Sequence, residues 1–230
     1  MELPNRYNSE HYRRKAGRYS VALKCLFDVE VDITTEERWA DLIAFARGID
    51  DYLDVGSRHT FDERAEDIIA MFGIPDEIAR QFPALAPDRL GDKGFEEMAK
   101  LGCSIMRTNH HIKTTDSIER YTALRRKEGR TYAKLISNAA TPEVAFQPGY
   151  DQFAQQLLKI GEVTNLLNSW RHITRDSKNG EIALQPSHLS RFRIIGSAGV
   201  ALVKRNNNTA SVLGSSPAKT FEPILQESVR

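Results

Sequence analysis

The stretch TTEERWADLIAFARGIDDYLDV, residues 34–55, decides the fold class because its apolar residues recur at helical spacing. It opens on Thr34-Thr35-Glu36-Glu37, which has the form of a capping box, and Gly56 is the predicted stop. The sequence therefore predicts a helix over 34–55. Its predicted buried stripe consists of Trp39, Leu42, Ile43, Ala46, Ile49 and Leu53.

Apolar spacings of three and four recur along the chain, and strand signals are scarce. Further helices are predicted at 62–72, 95–112, 117–139, from Tyr150 onward and, with poor propensity, at 191–204. The helix from Tyr150 has a predicted buried stripe of Phe153, Leu157, Ile160, Thr164 and Leu167. Residues 73–94, rich in proline and glycine, predict loop with at most a short helix. We expect an all-α protein with six to nine helices around one core, comprising a domain at 1–205 and a polar loop and tail at 206–230.

Composition narrows the class of protein. The 230 residues are 40% hydrophobic and 27% charged, which is typical of a globular chain. Lys and Arg total 32 against 31 Asp and Glu, so no bulk charge favours nucleic acid. Two cysteines, no signal peptide and no membrane-spanning window predict a cytoplasmic, soluble protein.

Three aspartates lie close together near the end of the first predicted helix. Asp50 and Asp54 are four residues apart and share a face, and Asp51 lies at the edge of that face. Like charges at this spacing repel, and a divalent cation would remove the repulsion, since carboxylate oxygens suit Mg²⁺. The alternative is a solvated acidic helix end balanced by Arg47 or Arg58.

A second polar stretch, NLLNSWRHITRDSKNGEIAL, covers residues 165–184. Asn168, His172 and Asp176 follow one another at spacings of four, so they project from one side of a helix and can each ligate a metal. Arg171 and Arg175 flank them with donors suited to phosphate oxygens. The alternative is a polar face near a helix C-terminus, where arginines also suit the dipole.

A third stretch, RYTALRRKEGRTY at 120–132, is basic. A solvated face explains the cations, which are Arg125, Arg126, Lys127 and Arg130. It does not explain Gly129, since glycine inside a helix costs about 1 kcal/mol relative to alanine. A helix that breaks or closely approaches a ligand at this point would account for that glycine.

These motifs resemble the squalene/phytoene synthase family of trans-isoprenoid synthases, over roughly residues 10–195. FARGIDDYLDV, residues 45–55, is similar to the family's first aspartate-rich motif, Arg-x-x-Asp-Asp-x-x-Asp. The second motif is similar to 165–192, with Pro186 one place late. The residues in step with it are Asn168, Arg171, Asp176, Gly180, Ile182, Leu184 and Pro186.

The second motif departs from the family at His172 and Arg175, where acidic residues are usual. The set Asn168, His172, Arg175 and Asp176 instead resembles the metal motif of class I terpene cyclases. Arg125, four residues before Gly129, resembles their diphosphate-sensing arginine. Family members also have more helix after the second motif, which implies here a smaller cavity or one completed by a partner chain, as in a homodimer.

The resemblance implies a class I isoprenoid synthase-like helical bundle around a central apolar cavity. It implies catalytic roles for Asp50, Asp54 and Arg125 on a prenyl diphosphate. Mg²⁺, with three ions in relatives, would bind a set made of Asp50, Asp51, Asp54, Asn168, His172 and Asp176. Substrate-binding roles fall to Arg47, Arg125, Arg171 and Arg175. His172 is a softer donor than Mg²⁺ prefers, and binding diphosphate as an imidazolium is the alternative.

Four aromatic residues are candidates for the cavity lining, although core packing is the favoured explanation for each. They are Tyr52, Tyr121, Phe45 and Trp170.

The favoured function is ionisation of one prenyl diphosphate with cyclisation or elimination. The alternatives are head-to-head joining of two prenyl diphosphates, a non-catalytic assembly or lipid-binding relative, and a metal-dependent nucleotide hydrolase. Nucleic acid is not expected as a partner, and a peripheral membrane contact is left open.

Overall fold

The computed structural model describes residues 9–54 and 61–184, apart from the side chains of Ser9 and Asp54. In this part of the chain there are nine α-helices, one 3-10 turn at Pro83–Leu85 and no strand, so the all-α prediction is confirmed. The helices are α1 Ser9–Phe27, α2 Ile33–Asp54, α3 Phe61–Phe72, α4 Pro75–Gln81, α5 Pro87–Leu90, α6 Asp92–Thr114, α7 Ile118–Asn138, α8 Pro142–Ala145 and α9 Tyr150–Lys178.

The start of α2 differs from the predicted capping box. The carboxylate of Asp32 accepts the backbone N–H of Thr35 at 2.6 Å, and the Asp32 carbonyl accepts that of Glu36 at 3.1 Å. Asp32 is therefore the N-cap residue. Thr35 is fully buried, and its hydroxyl oxygen accepts the backbone N–H of Thr141 at 2.9 Å, which ties the start of α2 to the start of α8.

The segment 73–94 holds more helix than predicted. Pro75, Pro83 and Pro87 each stand in the first turn of a short helix or 3-10 turn. Proline suits that position because its fixed φ is already helical and its missing N–H would have had no partner there. The prolines of this segment therefore begin helices rather than exclude them.

The most extensive helix pairing is that of α7 with α9, followed by α6 with α7 and α1 with α2. The main core extends through these helices and α3, with Trp39 and Ile68 among its fully buried side chains. A smaller separate cluster lies where the C-terminal ends of α6 and α9 meet the N-terminal end of α7. It consists of Ile112, Ile118, Tyr121, Ile173, Ile182 and Leu184.

Gly129 neither breaks α7 nor ends it. It is buried where α7 crosses α9, opposite Gly161, and a Cβ atom at Gly129 would overlap the Gly161 carbonyl group. Close approach of another helix, rather than a break, therefore explains why this position lacks a side chain.

Within the ranges given above, no helix combines the length and the apolar character needed to span a bilayer. The predicted stop at Gly56, the predicted helix at 191–204 and the boundary between 1–205 and 206–230 lie outside the described residues.

Candidate functional site

An apolar cavity of about 340 Å³ lies between α1, α7 and α9. Its walls are mostly aliphatic and aromatic, with a few amides and hydroxyls. The lining residues are Tyr19, Ala22, Leu26, Phe27, Gly129, Tyr132, Ala133, Ile136, Phe153, Gln156, Leu157, Ile160, Gly161, Thr164, Asn165 and Asn168. A cavity of this size and character suits a small apolar ligand.

The two ends of the cavity differ in chemistry. At one end the rings of Phe27 and Phe153 meet edge to face, with their centroids 5.8 Å apart. At the other end lie the amides of Asn165 and Asn168. Phe153 and Asn168 lie fifteen positions apart on α9, which is about 22 Å of helix. The cavity is therefore long, with an aromatic end and an amide end.

The aromatic residues that line it are not those considered from the sequence. Tyr121 belongs to the smaller apolar cluster and Phe45 to the main core. Tyr52 donates its hydroxyl to Asp67 at 2.7 Å, and Trp170 is partly exposed on α9. None of the four lines the cavity, whose aromatic members are Tyr19, Phe27, Tyr132 and Phe153.

Near the end of α2, one arginine bridges two of the predicted aspartates. Arg47 Nη1 lies 2.6 Å from Asp50 Oδ2, and Arg47 Nη2 lies 2.9 Å from Asp51 Oδ1. Asp50 is about half exposed and Asp51 is less so. The two carboxylates can therefore share a single cation, and in this structure the guanidinium of Arg47 is that cation.

Arg125 of α7 enters a polar network between α7 and α9. Its Nη1 donates to Glu128 Oε2 at 2.9 Å, and its Nε donates to the Tyr121 hydroxyl at 3.3 Å. Asn165 Nδ2 donates both to Glu128 Oε2 at 2.7 Å and to the Arg125 carbonyl at 2.6 Å. Burial alone would lower the pKa of Arg125, but Glu128 and Tyr121 reverse this and raise it. Arg125 is therefore a fixed, permanently charged group beside the amide end of the cavity.

The other cations of the basic stretch point away from this network. Arg126 and Arg130 are exposed and both pair with Glu162, Arg126 Nη2 at 2.8 Å. Lys127 is exposed as well. The solvated basic face expected from the sequence is thus present, and Arg125 is not part of it.

The predicted metal ligands on α9, Asn168, His172 and Asp176, differ in their surroundings. Asn168 is exposed and lines the cavity, whereas His172 is half-buried. The structure shows no hydrogen bond from Asn168 or His172 to the described carboxylates of α2. Asp176 is buried and accepts Arg175 Nε at 3.2 Å. Burial and the nearby Glu181 raise the pKa of Asp176, although Arg175 opposes them. Arg171 is exposed.

Charge interactions connect these groups through two side chains. Burial, Glu128 and Asp50 raise the pKa of Tyr132 well above its usual value, while Arg125 and Arg47 oppose the rise. The charge of Arg125 also acts to lower the pKa of Asp176. Tyr132, which lines the cavity, is therefore within reach of the charges of Asp50, Arg47 and Arg125, and Arg125 is also within reach of Asp176.

Oxygen donors near the cavity fit Mg²⁺ in kind, since carboxylates and amides are its preferred protein ligands. The Arg47 guanidinium held between Asp50 and Asp51 shows that this turn of α2 already holds one cation. Within the described residues, no three His, Cys, Asp or Glu side chains are grouped to hold a metal ion. Asp54 would be the third acidic ligand, and its side chain lies outside the described part.

Sequence reasoning missed three residues of this neighbourhood: Glu128, Tyr132 and Asn165. Glu128 stands among four cations in the sequence, and in the structure it is buried. Its position three residues after Arg125 and next to Gly129, itself at a helix crossing, is the signal that could have found it. A glycine at a helix crossing also places the positions three and four residues away, here Arg125, Tyr132 and Ala133, on the face toward the partner helix.

No protein-family model, no curated protein and no solved structure matches this chain.

Proposed function

We propose that this protein is a Mg²⁺-dependent isoprenoid synthase that ionises one allylic prenyl diphosphate and releases diphosphate. The observation that carries the proposal is the cavity, whose lining residue Tyr132 is within reach of the charges of Asp50, Arg47 and Arg125. A prenyl diphosphate has the same division, with a long apolar chain joined to a charged head. Burial of the chain stabilises the complex by the hydrophobic effect, and the charged groups receive the head.

The size of the cavity supports one substrate rather than two. At about 340 Å³ it stands near the lower end of the range of roughly 300–1,000 Å³ that is usual for small-molecule sites. Head-to-head joining requires two prenyl chains side by side. Cyclisation or elimination from a single chain is therefore the favoured outcome.

In this proposal Asp50, Asp51 and Asp54 hold Mg²⁺ on α2, and Asn168, His172 and Asp176 contribute from α9. Bound Mg²⁺ supplies positive charge to the departing diphosphate. Arg125 offers a fixed guanidinium whose direction Glu128 sets, and such a preorganised donor stabilises developing negative charge without reorganising. Arg47, Arg171 and Arg175 are exposed at the surface and would contribute further guanidinium groups to the phosphate oxygens.

The cavity wall suits an allylic cation. Tyr19, Phe27, Tyr132 and Phe153 present aromatic rings, whose faces attract positive charge, and the aliphatic lining leaves little for water to bind. Tyr19 and Tyr132 carry pKa values raised by burial, so both stay neutral phenols at ordinary pH.

A second candidate function is isoprenoid or lipid binding without catalysis. The ion pairs of Arg47 with Asp50 and Asp51 favour it, because they already neutralise two of the proposed metal ligands. His172, which adds no negative charge, favours it too.

The test is turnover of geranyl, farnesyl and geranylgeranyl diphosphate with and without Mg²⁺, measured as diphosphate release and as hydrocarbon or alcohol in organic extracts. Asp50→Asn should reduce turnover about hundredfold or more. Asp28→Asn is the matched control: Asp28 is also an exposed aspartate paired to a cation, it precedes α2, and asparagine tolerates its positive φ of 52°. Turnover that survives Asp50→Asn or the omission of Mg²⁺ would overturn the proposal. Tight binding of an unreactive analogue without turnover would establish the second function instead.

A further inference from the structure

Tyr132 has an aromatic ring on the cavity wall and a hydroxyl without a partner. It lies on α7 one turn after Glu128, and its side chain lines the cavity. Its hydroxyl makes no hydrogen bond within the part of the chain that the structure describes. By contrast, the hydroxyls of Tyr52 and Tyr150 donate to Asp67 and to the Ser137 carbonyl. Tyr132 is partly buried and lines the cavity, so its hydroxyl is open to the cavity and can pair with an atom of a bound ligand.

The charges around Tyr132 indicate what that ligand atom is. Asp50 and Glu128 act on the phenol from α2 and α7, and Arg47 and Arg125 act on it from the same two helices. Tyr19 also lines the cavity, yet burial is the single cause of its altered pKa. Tyr132 is thus the cavity phenol that lies beside the charged groups, at the junction between the apolar chain site and the proposed head-group site.

We propose that Tyr132 is a substrate-contacting residue whose hydroxyl donates a hydrogen bond to an oxygen of the phosphate nearest the prenyl chain. The inference rests on the proposed function and adds to it an anchor at the point where chain and head group join. The phenol remains protonated because burial and the two carboxylates raise its pKa, so it offers a proton to an anion rather than a like charge.

Tyr132→Phe separates this role from a structural one. The substitution removes a hydroxyl that has no protein partner, so the folded state loses no hydrogen bond and the melting temperature should stay constant or rise. The dissociation constant for a prenyl diphosphate should nevertheless increase about tenfold or more, as expected for a lost hydrogen bond to a charged group. Such opposite effects on stability and binding would not arise from a packing role.

The probes are the unreactive S-thiolo analogues of geranyl, farnesyl and geranylgeranyl diphosphate. Each is titrated into the protein in the presence of Mg²⁺, and calorimetry gives its dissociation constant. Tyr52→Phe is the control outside the cavity and should bind within about twofold of the unaltered protein, since it loses no hydrogen bond to the ligand. Tyr19→Phe on the cavity wall should lose less affinity than Tyr132→Phe, because the charged groups lie beside Tyr132.

The results separate a failure of the proposed Tyr132 hydrogen bond from a failure of the proposed isoprenoid synthase function. Unchanged binding in Tyr132→Phe, with binding lost in Asp50→Asn, overturns the role of Tyr132 and leaves the proposed function standing. Equal losses in Tyr132→Phe and Tyr19→Phe, or a lost affinity that accompanies a lower melting temperature, also overturn it. Binding of no analogue by the unaltered protein overturns both proposals.

Discussion

Gly129 of α7 and Gly161 of α9 lie backbone against backbone. A Cβ atom at Gly161 would lie 2.5 Å from the Gly129 carbonyl oxygen and 2.9 Å from the Ala133 Cβ. A Cβ atom at Gly129 would in turn lie 2.9 Å from the Asn165 Cβ. This contact lets Asn165 reach across to Glu128 and the Arg125 carbonyl, so the polar network depends on the crossing of two glycines.

Gly129→Ala should destabilise the protein although alanine favours helix. Intrinsic propensity would contribute about 1 kcal/mol of stability. Overlap with the backbone of α9 should outweigh it, for a net loss of about 1–3 kcal/mol. Urea unfolding measures the difference. Gly17→Ala in the middle of α1 is the control, since nothing lies within 4 Å of its added Cβ, and it should stabilise the protein. Equal effects at the two sites would contradict the explanation.

Glu128→Ala should cost about 3–5 kcal/mol, because it leaves the largely buried guanidinium of Arg125 without its counter-ion. Removing both charges in Arg125→Met/Glu128→Leu should recover much of that loss in the same denaturation experiment. Arg126→Ala removes one of two exposed arginines that pair with Glu162 and leaves the other, Arg130, in place, so stability should change by less than about 1 kcal/mol. A double variant that is no more stable than Glu128→Ala would show that the pair is not the cause.

Asp32 should make stability depend on acid pH. Burial raises its pKa, but hydrogen bonds from Thr141 and Thr35 outweigh burial and leave the pKa below its usual value. The native state therefore binds fewer protons than the unfolded chain, whose aspartates titrate near pH 3.9. The contribution of Asp32 is fully present above that pH and is lost as pH falls through the lower native pKa.

Asp32→Asn, which keeps a good N-cap, tests this dependence. The variant should be about 1 kcal/mol less stable at pH 7 and should converge with the unaltered protein near pH 2. Unfolding free energies measured across that range give the difference, and curves that remain parallel would contradict it.

Ala22→Leu should fill part of the cavity from α1. The added carbons occupy space that is empty in this structure, so stability should stay constant or rise, while affinity for a prenyl diphosphate analogue should fall about tenfold or more. Val21→Leu, next to it on an exposed face, should change neither quantity. Unchanged affinity in Ala22→Leu would show that the chain does not bind between α1, α7 and α9.

Helical periodicity predicted much of the fold. The predicted helix at 34–55 is α2 at Ile33–Asp54, and the long helix from Tyr150 begins at that residue. Helix α1 was missed, although Tyr12, Ala16 and Leu23 are buried at helical spacing and could have revealed it. The short helices after Pro75, Pro83 and Pro87 were missed because proline was taken as a breaker at positions where it begins a turn.

The site was harder to predict than the helices. Periodicity indicates which side of its helix a residue lies on, but not which residues of other helices it contacts. Arg125 and Arg126 are adjacent in sequence, yet Arg125 joins a buried network, whereas Arg126 is exposed and pairs with Glu162. Arg125 pairs with Glu128, three residues away, and Arg126 pairs with Glu162 on another helix. The sequence does not show which arginine takes which partner. The aromatic residues of the cavity were predicted wrongly for the same reason. Phe45 and Phe153 both lie on the apolar face of a predicted helix, and only the packing of α1 on α9 places Phe153, and not Phe45, at the cavity.

Helix α1 packs more extensively on α2 than on α9, although it forms one wall of the cavity. The helix that carries Asp50 and the helix that forms one wall of the cavity are therefore packed together as a pair. Separating α1 from α9 would break fewer contacts than separating α1 from α2, so we expect α1 and α2 to move together when a ligand enters between α1 and α9.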